Sequence, residues 1–192
     1  MISVGDLIPE IVLTNSHDAL SAFQLHAGIF RLVCSNGMVV ADATIAKVCI
    51  KHVGYASVNV RLAGQALFQD LPKLTEKVES MQAIHMQSQE AEITARSAAM
   101  VRWPVDDTHT LPFDPVHLLE CHRTADEKPT LWNVFNRIQE NMVKGGVRYR
   151  TVNNRKQRTR RITGIGEDIR VNKALWSLAE SMLLLKQGSS TG

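Results

Sequence analysis

The chain of 192 residues and 21.4 kDa is one domain's worth of protein. Its 44% hydrophobic and 21% charged residues are those of an ordinary globular domain with enough apolar material for a core. Disordered tails, collagen-like fibres and disulfide-stapled miniproteins are excluded, and a formal charge of +3 names no partner by itself.

No run of 18 apolar residues occurs, so no membrane partner is expected. The start, Met1 to Asp6, lacks the basic region and apolar stretch of a secretory signal. Cys34, Cys49 and Cys121 are odd in number and far apart, which reads as reduced thiols in a cytoplasm. No P-loop, dinucleotide fingerprint, zincin helix or nucleophile elbow is present. The sequence therefore points to a non-enzymatic protein with no cofactor and no metal. Two carboxylates and a histidine around a deep pocket would reopen the enzyme reading.

In chain order, residues 1–55 read as β-rich. Glu10 to Thr14 is short and β-branched, and Asn15-Ser16-His17-Asp18 after it is a turn cluster. Ser21 to His26 alternates. Ile29 to Cys34 is a second apolar run, closed by Ser35-Asn36-Gly37. Asn-Gly between apolar runs signals a hairpin, with Met38-Val39-Val40 pairing back. Lys47 to Val53 alternates like a half-buried strand. From Val58 to about Ile84, Leu67, Leu71, Leu74, Val78 and Met81 form a helical stripe. Pro72 should kink or restart that helix, with Asp70 as a cap. A second helix runs from about Gln89 to Val101. Residues 104–129 hold four prolines and form a connector, with a short helix after Asp114-Pro115. Thr130 caps a third helix with Leu131, Val134, Phe135, Ile138 and Met142 on one face and Gly145-Gly146 at its end. The last helix spans about Glu167 to Lys186, with Leu175, Leu178, Ala179 and Met182 on its apolar side. The fold class is α+β in a single domain: an N-terminal antiparallel sheet, then a predominantly helical half whose last two helices, within 130–187, flank a basic arm.

That arm is the compositional outlier. Between Lys144 and Arg161 stand Lys144, Arg148, Arg150, Arg155, Lys156, Arg158, Arg160 and Arg161, with no acid among them. The rest of the chain holds 14 basic and 19 acidic residues, so +3 is the sum of an arm at +8 and a body at −5. Six of the eight are arginines, the better bidentate partner for phosphate. Tyr149, Asn153, Asn154 and Gln157 add stacking or hydrogen-bonding groups. The alternation Val147 to Val152 predicts an extended strand, Asn153-Asn154 its turn and Thr159 to Thr163 its return. Such a hairpin predicts sequence-independent, salt-sensitive contact with nucleic acid through Lys144, Arg148, Tyr149, Arg150, Arg155, Lys156, Arg158, Arg160 and Arg161. A solvated loop and an arm that docks on an acidic protein are the competing readings.

Other groupings carry less. His117 and Cys121 stand four apart with His122 beside them and His109 upstream, but no further zinc ligand is fixed by spacing, and ordinary helix residues are the simpler reading. Ser16, His17 and Asp18 are consecutive on a turn, where a catalytic triad seldom assembles. Cys34 reads as a buried structural thiol rather than a nucleophile. Trp132 and Trp176 read as packing between the last two helices, with an exposed patch as the alternative.

Four stretches then resemble one family together. They are Pro9 to Asp18, Phe30 to Gly37, Leu131 to Asn141, and Thr163-Gly164-Ile165 through Asn172 to Trp176. They are similar to domain-of-unknown-function family 932, described as phage and plasmid-like proteins, over about Pro9 to Lys186. The resemblance implies a bacterial mobile element and a cytoplasmic host compartment, and it supplies no catalytic residues. Members carry a further N-terminal portion, which implies a truncated member or one part of a split protein. Nucleic-acid association in replication, recombination or transfer is the resulting expectation. A host-directed protein that inhibits a defence complex, as an anti-CRISPR does, is the alternative.

Overall fold

The computed structural model of the protein describes residues 7–14, 23–31, 37–39, 48–50, 56–106, 110–150 and 154–189. They are mostly helical, with a small two-stranded antiparallel sheet in the C-terminal half. The Asn15 to Asp18 turn, Cys34, His109 and Asn153 lie outside the described residues. Contacts divide the chain into two compact units, Met1–Lys77 and Val78–Gly192.

In the first unit, β1 (Leu7–Thr14) pairs antiparallel with β2 (Phe23–Arg31), from Leu7 opposite Arg31 to Thr14 opposite Gln24. β3 (Gly37–Val39) and β4 (Val48–Ile50) both pair antiparallel with β2. The sequence suggests two separate strands at 21–26 and 29–34, but β2 runs through Ala27-Gly28 as one. Gly28 is paired on both sides, with Glu10 and with Val39, so the ladder carries the strand across a residue that alternation alone treats as a break. α1 (Ala56–Ala83) likewise continues as one helix through Pro72, which leaves Asp70 inside it rather than at a cap. The proline removes one helical hydrogen bond. Burial of Leu74, Val78 and Met81, the continuation of the apolar stripe, offsets that loss.

In the second unit α2 (Ser88–Arg102), α3 (Leu131–Lys144) and α4 (Ile165–Ser189) all pack against one another. The Thr130 hydroxyl accepts the Asn133 N–H at 3.2 Å, the N-cap that the sequence signals. Ala91, Ala95, Ala98 and Ala99 make α2 a helix of small buried residues, which allows close approach. Val171, Leu175, Trp176, Ala179 and Leu183 are the buried face of α4. Between them, Phe135 stacks on Trp132 at 5.8 Å and meets Trp176 edge-on at 6.2 Å. Both indoles are fully buried, as the packing reading requires.

α3 departs from its predicted amphipathic form. Asn133, Asn136, Gln139, Glu140 and Asn141 are buried along with its apolar face. Each is satisfied locally or by a neighbour, as burial demands. The Asn141 amide donates to the carbonyls of Leu118, Glu120 and Arg137, and Gln139 donates to Asn172 Oδ1 at 2.8 Å. These bonds tie the 3-10 turn Pro115–Leu119 and α4 to the central helix.

Candidate nucleic-acid interface

The site begins where α3 must stop. Gly145 has φ +68 and Gly146 φ +91, a region that side chains disfavour. The chain reverses there into β5 (Arg148–Arg150), which pairs antiparallel with β6 (Lys156–Arg158). The return strand is thus 156–158, earlier than the Thr159 to Thr163 that the sequence suggests. The register sets Arg148 opposite Arg158 and Arg150 opposite Lys156, and Asn154, just before the return strand, adopts φ 58. Residues 159–163 instead anchor the base. Gly146 N–H donates to the Thr159 carbonyl and Thr159 N–H to the Val147 carbonyl, both at 2.9 Å. The Val147 N–H donates to the Thr159 hydroxyl at 3.1 Å, and Ile162 N–H to the Val143 carbonyl at 2.9 Å. Val147, Thr159 and Ile162 are buried.

Side chains alternate along a strand, and directly opposed residues share a face. Arg148, Arg150, Lys156 and Arg158 therefore lie on one face of the ribbon, and Tyr149 and Gln157 on the other. All four cations are exposed. Arg150 donates to the Asn154 side-chain oxygen at 2.7 Å, a neutral partner that leaves its charge uncompensated. None of the four is ion-paired among the described residues. Like charges stand directly opposite one another, which destabilises a ribbon in isolation. Tyr149 is half-buried, and its hydroxyl donates to Gln157 Oε1 at 3.1 Å. Beside the ribbon lies a groove of about 760 Å³ lined by Arg148, Tyr149, Arg150, Lys156, Gln157, Arg158 and His117.

The remaining basic residues are distributed differently. Arg155, Arg160 and Arg161 are exposed around the turn and the return segment. Lys144 belongs to the last turn of α3, where its ammonium meets Glu140 at 2.7 Å. Arg123 completes that cluster with a bidentate bond to Glu140, Nε to Oε2 at 2.9 Å and Nη2 to Oε1 at 2.8 Å. The Arg123 guanidinium, supported by Lys144 and opposed by burial, holds the Glu140 carboxyl down at about 2.

One residue that the sequence does not nominate sets the ribbon in place. Arg102, at the end of α2, donates to the carbonyls of Met142 and of Arg160, the latter at 2.6 Å. Its guanidinium lies 4.8 Å from the Trp103 ring centre, and the Phe113 ring meets Trp103 edge-on at 4.9 Å. Partners 40 and 58 residues away leave no local trace in the sequence.

The histidine–cysteine grouping does not assemble. The 3-10 turn ends at Leu119, so His117 and Cys121 share no helical face. Cys121 donates to the Arg123 carbonyl and His122 pairs with Asn141. Among the described residues no three metal-ligating side chains converge, and no helix is long and apolar enough to cross a membrane.

The comparisons agree with the resemblance noted above. The family described as Domain of unknown function (DUF932) matches residues 2–176. Two relatives from Escherichia coli (strain K12), UPF0380 protein YafZ and UPF0380 protein YfjQ, are each 33% identical over 179 residues, 93% of this chain. The chain spans 64% of the length of each of these relatives. No solved structure matches. A match across most of the chain, together with these two relatives, places the protein in the DUF932 family.

Proposed function

We propose that the protein binds nucleic acid through the ribbon Arg148–Arg158, without catalysis, in the life of a phage, plasmid or integrative element. In this reading the 192 residues work as one α+β domain, with the N-terminal sheet and the helices as scaffold. One observation carries it: four exposed cations share one ribbon face, and none of them is ion-paired among the described residues. Opposed like charges make the free ribbon costly, and a row of phosphates relieves that cost. Arg155, Arg160 and Arg161 extend the basic surface beyond the paired strands. Lys144 contributes less, because Glu140 already holds it.

Fluorescence anisotropy with labelled oligonucleotides at 50 mM salt tests the reading. Four phosphate contacts predict a slope of log K against log salt of about −3.6, and so a loss of roughly a hundredfold between 50 and 200 mM. Replacing Arg148, Arg150, Lys156 and Arg158 by Ala should abolish binding while far-UV circular dichroism stays unchanged. Absence of binding to every DNA and RNA probe at 50 mM salt would refute the proposal.

A further inference from the structure

We infer that the ribbon groove takes a single-stranded nucleic acid, with phosphates on its cations and a base stacked on Tyr149, in preference to a duplex. This deepens the proposal above and rests on it. The groove of about 760 Å³ is lined by all six residues of the paired strands and by His117. Alternation sets Tyr149 and Gln157 across the ribbon from the four cations, but the groove takes in both sets, so an occupant meets charge and ring together. Proteins that hold single strands use that combination: a basic groove for the backbone and aromatic side chains for the bases. In a duplex every base already stacks on its neighbours, so only an unpaired base can use such a ring. A duplex offers its phosphates to the cations and leaves the ring idle.

The register places the ring between two pairs of cations. Tyr149 stands opposite Gln157, with Arg148 and Arg158 one step along the ribbon to one side and Arg150 and Lys156 one step to the other. Each step is about 3.4 Å, so the cation pairs are roughly 6.8 Å apart with the ring midway. A strand running along the groove thus sets a base at Tyr149 with phosphates on either side of it. Tyr149 is half-buried, and its hydroxyl donates to Gln157 Oε1 at 3.1 Å, which holds the ring in place before a ligand arrives. Gln157 gives its oxygen to that bond and keeps its amide N–H groups as donors for a base edge. The other wall is held as well. The Asn141 amide of α3 donates to the carbonyls of Leu118 and Glu120, just beyond the exposed His117, and so fixes the 3-10 turn that carries it.

The experiment titrates the intact chain at 50 mM salt with labelled probes of one sequence and length: single-stranded DNA, single-stranded RNA, duplex DNA, and the tighter single strand with its bases replaced by abasic sites. At least one single strand should bind about tenfold more tightly than the duplex, and the tighter of the two identifies the sugar it carries. That strand should also bind about tenfold more tightly than its abasic form, the size of one stacking contact. Four phosphate contacts predict a salt slope of about −2.8 on the single strand, against about −3.6 on duplex DNA. In Tyr149→Leu the ratio of ordinary to abasic affinity should shrink to within about twofold. A merely structural loss weakens both strands alike and leaves that ratio unmoved. If Tyr149→Leu binds neither strand, Tyr149→Trp decides: its larger ring should raise the ratio, and an unchanged or lower ratio overturns the inference. An abasic strand that binds the intact chain as tightly as the ordinary one would overturn it too, and leave the nucleic-acid reading standing. So would duplex DNA that binds as tightly as both single strands, or a tenfold ratio that survives in Tyr149→Leu. Failure of every probe to bind overturns the nucleic-acid reading itself and this inference with it.

Discussion

Glu140 is a carboxylate held inside a helical unit by two cations, and its protonation has a measurable consequence. Its folded value of about 2 lies below its ordinary 4.5, chiefly because of Arg123. A depressed carboxyl stabilises the fold fully above its unfolded value and loses that contribution as pH falls through the folded one. Unfolding free energy should therefore decline between about pH 4.5 and 2, by up to about 3 kcal/mol from this group. Glu140→Gln should lower stability at pH 7 by about 3 kcal/mol and flatten the profile in that window, as urea titrations at several pH values would show. Periodicity did not foretell this cluster. Glu140 and Asn141 stand on what reads as the polar face of an amphipathic helix, and only the wrapping of α3 by its neighbours buries them. The run Asn133, Asn136, Gln139, Asn141 was a usable signal: amides repeated along one helix suit a polar interior more than a solvated face.

The ribbon as an element depends on its base. An added Cβ on Gly145 would lie 2.6 Å from the Arg160 carbonyl carbon and 2.7 Å from the carbonyl oxygens of Arg160 and Thr159. These are backbone atoms of the return segment, which cannot swing aside. Gly145→Ala should cost about 3 kcal/mol and loosen the ribbon, whereas Gly146→Ala, with nothing within 4 Å, should cost only about 1 kcal/mol of backbone strain. Thermal melts give the first quantity, and hydrogen exchange at the Gly146 and Ile162 amides gives the second. Arg102→Ala removes the clamp on the Met142 and Arg160 carbonyls and should cost about 2 kcal/mol. Lys at 102 should not restore it, because one ammonium cannot reproduce the fork that meets both carbonyls. At this scale the helices were legible in their caps and stripes: Thr130 before α3, Gly145 after it, Asp114-Pro115 before the short 3-10 turn. The hairpin's existence was legible too. Its register was not, since the Asn153-Asn154 pair suggests a tighter turn than the pairing of Arg150 with Lys156 allows.

For the molecule as a whole, the separation of +8 from −5 along the chain was visible in composition, but its arrangement was not. Composition counts Lys144 with the arm, whereas the fold gives it to Glu140. Composition also offers Tyr149 beside the arginines, whereas strand alternation turns it to the opposite face. The opposition of Arg148 to Arg158 and of Arg150 to Lys156 has a thermodynamic corollary. A ligand that binds only the folded ribbon shifts the unfolding equilibrium by mass action, by about 2.7 kcal/mol at a hundred times its dissociation constant. On the proposed reading the melting temperature should therefore rise with added nucleic acid, as differential scanning calorimetry would record, and that rise should vanish when the four cations are replaced by Ala. If the proposed binding holds, the paired cations make the heat resistance of this protein a property of its surroundings, the naked chain being the weaker state and an occupied ribbon the stronger one.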